Sequence, residues 1–166
     1  MGSRYRSILQ GLLGMGPGNK YMDTEDRLSG KCTGSSCRFF NRNKGYIGTG
    51  FDGTNYSNEF WEWDQATNVW ANKADFGEKS IGYAVGFSIG NKGYIGTGYN
   101  GSSYSKKFWE WDQATNVWTK LADFKGNPRI SAVGVSIGNK GYIGTGFGDY
   151  LMYAWQDFWE YDPTLK

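Results

Sequence analysis

Residues 84–89 alternate strictly, with Val85, Phe87 and Ile89 on one face and Ala84, Gly86 and Ser88 on the other. That period of two predicts a half-buried β-strand. Gly90-Asn91-Lys92-Gly93 follows, and its Asn and Gly accept the positive φ of a tight hairpin turn. Residues 94–98 predict a second strand, with Gly96 and Gly98 where backbones or bulky neighbours approach closely. Residues 107–112 predict a third, with Trp109 and Trp111 on one face and Phe108 and Glu110 on the other. A five-residue turn at 112–116 follows, whose Asp112 can accept from amides two residues on and whose Asn116 can sit left-handed. Residues 117–121 predict the fourth strand of one antiparallel sheet.

The same pattern recurs. Asn-Lys-Gly-Tyr-Ile-Gly-Thr-Gly starts at 43, 91 and 139, a period of 48. Residues 43–90 and 91–138 share 31 identities in 48 positions. Phe-Trp-Glu-Trp-Asp stands at 60–64 and 108–112, and returns as Phe158-Trp159-Glu160-Tyr161-Asp162 after a two-residue insertion. A fixed period of this length is the signature of stacked repeats, in which each unit buries its apolar face on the next.

Gly96-Thr97-Gly98, then Trp111-Asp112, then Trp118 seven residues after Trp111, together with the period, resemble a kelch repeat. The resemblance covers residues 43–166. It implies an all-β fold of four-stranded antiparallel blades of a kelch-type β-propeller. The family's arginine before strand one has its counterpart in Arg129, where the preceding copy has Ile81. Tyr46, Trp63, Trp70, Tyr94, Trp111, Trp118, Tyr142 and Tyr161 recur at fixed repeat positions, which assigns them to packing between blades rather than to a sugar-stacking platform. Asp64, Asp112 and Asp162 recur at one turn position and are read as turn formers, not as paired catalytic carboxylates. The in-frame repeats supply about ten strands, fewer than the 4 to 8 blades of a closed propeller require. The array is therefore expected to be incomplete, a fragment or one completed by identical chains through its open sheet edges.

Residues 1–42 break the pattern and are expected to form a separate, non-repeat segment. Reading the third-position base of each codon of 108–119 with the next two bases forces Leu, Gly, Gly and Asp at positions 96 lower, where Leu13, Gly14, Gly16 and Asp23 stand. Residues 8–42 are thus expected to be an out-of-frame translation of a further repeat. Cys32 and Cys37 lie inside this stretch, and a lone C-x4-C without histidine is read as inert thiols.

Composition narrows the chemistry. The 166 residues contain no histidine, which excludes Ser-His-Asp and Cys-His catalysis and the usual His-containing zinc and copper sites. No cofactor or metal is expected. Glycine (26) with 30 aromatic residues and only 3 prolines fits aromatic strands joined by glycine turns. A net charge of +2 with scattered Lys and Arg argues against nucleic acid as a partner. No apolar run reaches membrane-spanning length.

In such a meander the 1–2 and 3–4 turns share one end, which is nearly constant between copies. The other end varies, with loops 51–59, 99–107 and 147–157 on one side and 77–83 and 125–131 on the other. Variable loops on a fixed scaffold are where recognition usually resides. Arg129, Asp149, Tyr150, Tyr153 and Trp155 are the candidate binding residues, the last four from the longest and most aromatic loop. The expected function is a non-enzymatic binding scaffold for a protein or carbohydrate ligand. The alternatives are part of a propeller enzyme whose active-site blades lie elsewhere, or a purely structural surface array. Similarity to bacterial kelch arrays implies an extracellular or cell-surface location.

Overall fold

A computed structural model describes residues 36–77, 80–148 and 154–165. Those residues are all-β and form three antiparallel meanders. Sheet I contains β1 (Cys37–Asn41), β2 (Lys44–Gly48), β3 (Phe60–Asp64) and β4 (Val69–Asn72). Sheet II contains β5 (Val85–Ile89), β6 (Lys92–Gly96), β7 (Phe108–Asp112) and β8 (Val117–Lys120). Sheet III contains β9 (Val133–Ile137), β10 (Lys140–Gly144) and β11 (Phe158–Tyr161). Strands pair in chain order within each sheet, and the three sheets do not close into a ring.

Local chemistry sets the boundaries. The second strand was expected to run to Gly98 but ends at Gly96, because Thr97 turns left-handed at φ 60. Thr49 and Thr145 take the same φ of 60. A β-branched residue there is strained, and the strain recurs because each Thr amide must reach the carbonyl before strand three: Thr49 donates to Glu59, Thr97 to Lys107 and Thr145 to Asp157. The 3–4 turn forms as expected. Asp64 Oδ1 accepts from the Ala66 and Thr67 amides, Asp112 Oδ1 does the same for Ala114 and Thr115, and Asp162 Oδ1 accepts from Thr164. Asn68 and Asn116 are left-handed, at φ 56 and 55. Their amide oxygens accept from the indole N–H of Trp63 (2.9 Å) and Trp111 (3.1 Å).

Sheet I begins earlier than the repeat boundary suggested. Cys37–Asn41 lies in the segment expected to stand outside the array, yet it pairs along its whole length with β2, Phe39 opposite Tyr46. The reason is visible in its alternation: Cys37 and Phe39 are buried while Arg38 and Phe40 are exposed. Arg42 closes the hairpin at φ 53, where the other copies place Gly90 (φ 57) and Gly138 (φ 60). Cys37 is buried, with its Sγ 3.3 Å from the Gly48 carbonyl oxygen. Cys32 and the rest of residues 1–35 lie outside the described residues.

The core lies between sheets. Phe39, Tyr46, Phe60 and Phe76 of the sheet I repeat receive Trp109, Trp111 and Trp118 of sheet II, with Tyr46–Trp111 at 5.1 Å and Phe60–Trp111 edge-on at 4.9 Å between centroids. Sheet II offers the next face in the same way. Phe87, Tyr94 and Phe108 surround Tyr161, and Phe124 meets Trp159 edge-on at 5.7 Å. Glycine makes this approach possible at Gly93 and Gly141, where an added methyl would run into the rings of Phe39 and Phe87 from the preceding sheet. Trp111 and Trp118 therefore pack between sheets. Trp63 and Trp70 pair with each other at 6.4 Å and remain only half-buried.

Candidate functional site

The variable end of the scaffold is built by the loops after the second strand. In sheet I the loop returns on itself through a bridge between Phe51 and Tyr56, and in sheet II through Tyr99 and Tyr104. Asx turns hold the tips: Asp52 Oδ1 accepts from the amides of Thr54 and Asn55, and Asn100 Oδ1 from those of Ser102 and Ser103. The connecting segment between sheets is stitched to the next loop, Gly82 bridging Tyr99 and Ile130 bridging Phe147. Adjacent loops are consequently held in one frame rather than projecting independently.

This framework aligns a run of rings. Phe51 lies 4.6 Å from Tyr56, Tyr56 meets Tyr99 edge-on at 5.9 Å, and Tyr99 lies 5.0 Å from Tyr104. All four are half-buried. The Tyr99 hydroxyl donates to the Gly101 carbonyl at 2.9 Å. Burial, then the neighbouring phenols of Tyr83, Tyr99 and Tyr104, push the Tyr56 hydroxyl above its ordinary value, so it stays a neutral donor and acceptor through physiological pH. Such a surface offers large, stiff contact area with hydroxyls at its edge.

Of the residues singled out from sequence, Asp149, Tyr150 and Tyr153 lie outside the described residues. Trp155 is half-buried, its indole lying against Gly148, and the Arg129 guanidinium stands 5.9 Å from its ring. Arg129 itself is fully buried. Its guanidinium makes a bidentate pair with Asp157 at 2.5 and 2.6 Å, donates to the Thr145 and Asn127 carbonyls, and stacks 4.9 Å over Phe124. That arrangement spends its donors inside the protein, tying the connecting segment to the Thr turn of sheet III. Bonds from Arg129 outweigh burial at Asp157 and hold its carboxyl below the usual range. The loop rings Phe51, Tyr56, Tyr99 and Tyr104 were not singled out from sequence. Their signal was there, an aromatic at each end of a six-residue loop in two successive copies.

A second polar constellation recurs in every sheet. Glu62 accepts from Lys44 (2.6 Å) and from the Tyr46 hydroxyl (2.8 Å), and Lys73 adds a third contact at 3.2 Å. Glu110 pairs with Lys92 and Tyr94, and Glu160 with Lys140 and Tyr142. Burial opposes ionisation of Glu62, but the three donors prevail and keep its pKa lowered. Burial first, and then the bond to the glutamate, pushes the Tyr46 and Tyr94 phenols far upward. A satisfied ionised carboxylate beside a phenol that does not ionise is a structural clamp, not an acid–base pair poised for chemistry. Among the described residues no group of three or more Asp, Glu, Cys or His is placed to hold a metal ion, and no helix is long and apolar enough to cross a membrane.

No protein-family model matches the chain, and no curated protein matches it.

Proposed function

We propose that the chain is a non-enzymatic kelch-type binding scaffold, in which repeated sheets hold variable loops that take a protein or carbohydrate ligand. The observation that carries this reading is the contrast between the two ends of the sheets. The 3–4 turns keep the same Asp and Asn hydrogen bonds from copy to copy, while the loop end changes sequence yet holds Phe51, Tyr56, Tyr99 and Tyr104 in one supported aromatic surface. Tyrosine-rich surfaces of this kind contribute binding area at low entropic cost. The recurring carboxylates support the same reading, since each is committed to lysine and tyrosine neighbours. A cell-surface or extracellular setting belongs to this proposal through the kelch resemblance.

The test is a glycan array and a proteome pull-down with the intact chain. A saturable ligand is expected from one of the two arms. Absence of any saturable ligand in both would favour a purely structural array, and turnover of a captured ligand would favour the enzyme alternative.

A further inference from the structure

The two outward faces of the described array are counterparts of the faces already joined inside it. Each internal junction sets one kind of face against another. The first kind carries a ring or aliphatic residue on the first strand, a tyrosine on the second and a phenylalanine on the third: Phe39, Tyr46 and Phe60 in sheet I, Phe87, Tyr94 and Phe108 in sheet II. The second kind carries glycine on the second strand and aromatic residues on the third: Gly93, Trp109 and Trp111 in sheet II, Gly141, Trp159 and Tyr161 in sheet III. Sheet III leaves a face of the first kind open, with Val133 56%, Val135 41% and Phe158 64% exposed beside Tyr142. Sheet I leaves a face of the second kind open, and a cavity of about 210 Å³ there is lined by Arg38, Phe40, Gly45, Ile47, Trp63 and Trp70.

We infer that these two faces join head to tail between two copies of this chain. The choice of a second copy rests on a paired exchange of side-chain volume. At both internal junctions a phenylalanine ring, Phe39 or Phe87, fills the space over the glycine of the next sheet. On sheet I the equivalent space over Gly45 is already partly taken by the sheet's own Phe40, whose Cε1 would stand 3.4 Å from a methyl added to Gly45. Sheets II and III have Ser88 and Ser136 at the Phe40 position. A phenylalanine knob from an incoming sheet would collide with Phe40, whereas a smaller one fits. Sheet III supplies that smaller knob, having Val135 where the other two sheets have Phe39 and Phe87.

The same exchange accommodates Arg38, which replaces Gly86 and Gly134. A methyl at Gly86 would stand 3.2 Å from the Phe39 ring, and the volume missing at Val135 is the room the Arg38 stem requires. Polar positions agree as well. Gln113 Nε2 donates to the Tyr46 hydroxyl across the first junction at 2.9 Å, and the repeat places Gln65 where it reaches Tyr142 of the second copy. Trp118 Nε1 donates to the Ala74 carbonyl of the preceding repeat at 2.9 Å, whereas its counterpart Trp70 Nε1 has no hydrogen-bond partner among the described residues. A contact between unlike faces is heterologous, so it closes a ring or propagates. Two copies closing would bring six of the described sheets together, within the 4 to 8 units of closed radial arrays. This association is independent of ligand binding at the loop end.

The experiment is sedimentation velocity on the full chain over a dilution series, with Val135→Asp and Phe40→Asp as variants. Both positions are exposed, Phe40 at 68%, so neither change enters the core, and circular dichroism checks that each variant stays folded. The wild type is expected to associate in a concentration-dependent manner. Each variant alone is expected to associate at least tenfold more weakly, and their equimolar mixture to regain dimers, because one intact Phe40–Val135 contact is then available. A wild type that remains at one chain mass at every concentration overturns the inference. So do variants that associate as well as the wild type, or a mixture that behaves as the sum of the two variants.

Discussion

Arg42 shows how a single residue can betray its backbone. It occupies an exposed hairpin position at φ 53 that Gly90 and Gly138 fill in the other copies at nearly the same angle. Left-handed backbone costs a side-chain-bearing residue about 1–2 kcal/mol, offset in part by the greater freedom that glycine loses on folding. Arg42→Gly is accordingly expected to stabilise the chain by about 0.5–1 kcal/mol in denaturant melts. A loss of stability would mean that the arginine side chain makes a compensating contact. The tryptophans separate at the same scale. Trp111 is 1% exposed between Tyr46 and Phe60, whereas its counterpart Trp63 is half-buried. Trp111→Ala is expected to cost about 3–5 kcal/mol, as large aromatic truncations in cores do. Trp63→Ala in the dissociated chain is expected to cost about half as much, because less of its area leaves water. Equal losses would contradict the assignment of open and covered faces.

At the level of the strand and sheet, the Lys-Tyr-Glu clamp couples the second and third strands. Glu62 has a folded-state pKa below its ordinary 4.5, so its contribution to stability is present above that value and is lost as pH falls through the folded value. Glu62→Gln is expected to lower stability at neutral pH by about 1–3 kcal/mol and to flatten the acid limb of the stability profile below pH about 4.5. An unchanged acid limb would show that other carboxylates govern it. Much of this level was legible in the sequence. The period-two alternation located β5 and β7 to within a residue, the turn at 112–116 placed β8, and the Asp and Asn of that turn were assigned their duties from residue type alone. What escaped was non-local. Only Phe39 in 37–41 keeps the residue of the next copy, Phe87, so β1 became visible through its pairing with β2. The end of the second strand escaped because threonine is a poor sequence signal for left-handed backbone. Arg129 was read as a candidate binding residue, and only the fold brings Asp157, 28 positions away, to its guanidinium.

For the whole molecule, the division of labour is between buried faces and one aromatic end. Sheet II is covered on both sides, Trp111 and Trp118 by sheet I and Phe87 and Tyr94 by Tyr161, so the array is held by successive junctions rather than by one central core. The loop rings lie outside those two clusters, although Tyr56 reaches Tyr99 across the first junction. The most direct measurement of the central claim is therefore the ligand screen run side by side with a Tyr56→Ala/Tyr104→Ala chain, with denaturant midpoints recorded for both. The expected result is loss of the saturable ligand while the substituted chain still unfolds in one cooperative transition. Retained capture by the doubly substituted chain, or capture lost only on substitution of Trp63, would contradict it and move recognition from the loop end to the open tryptophan face.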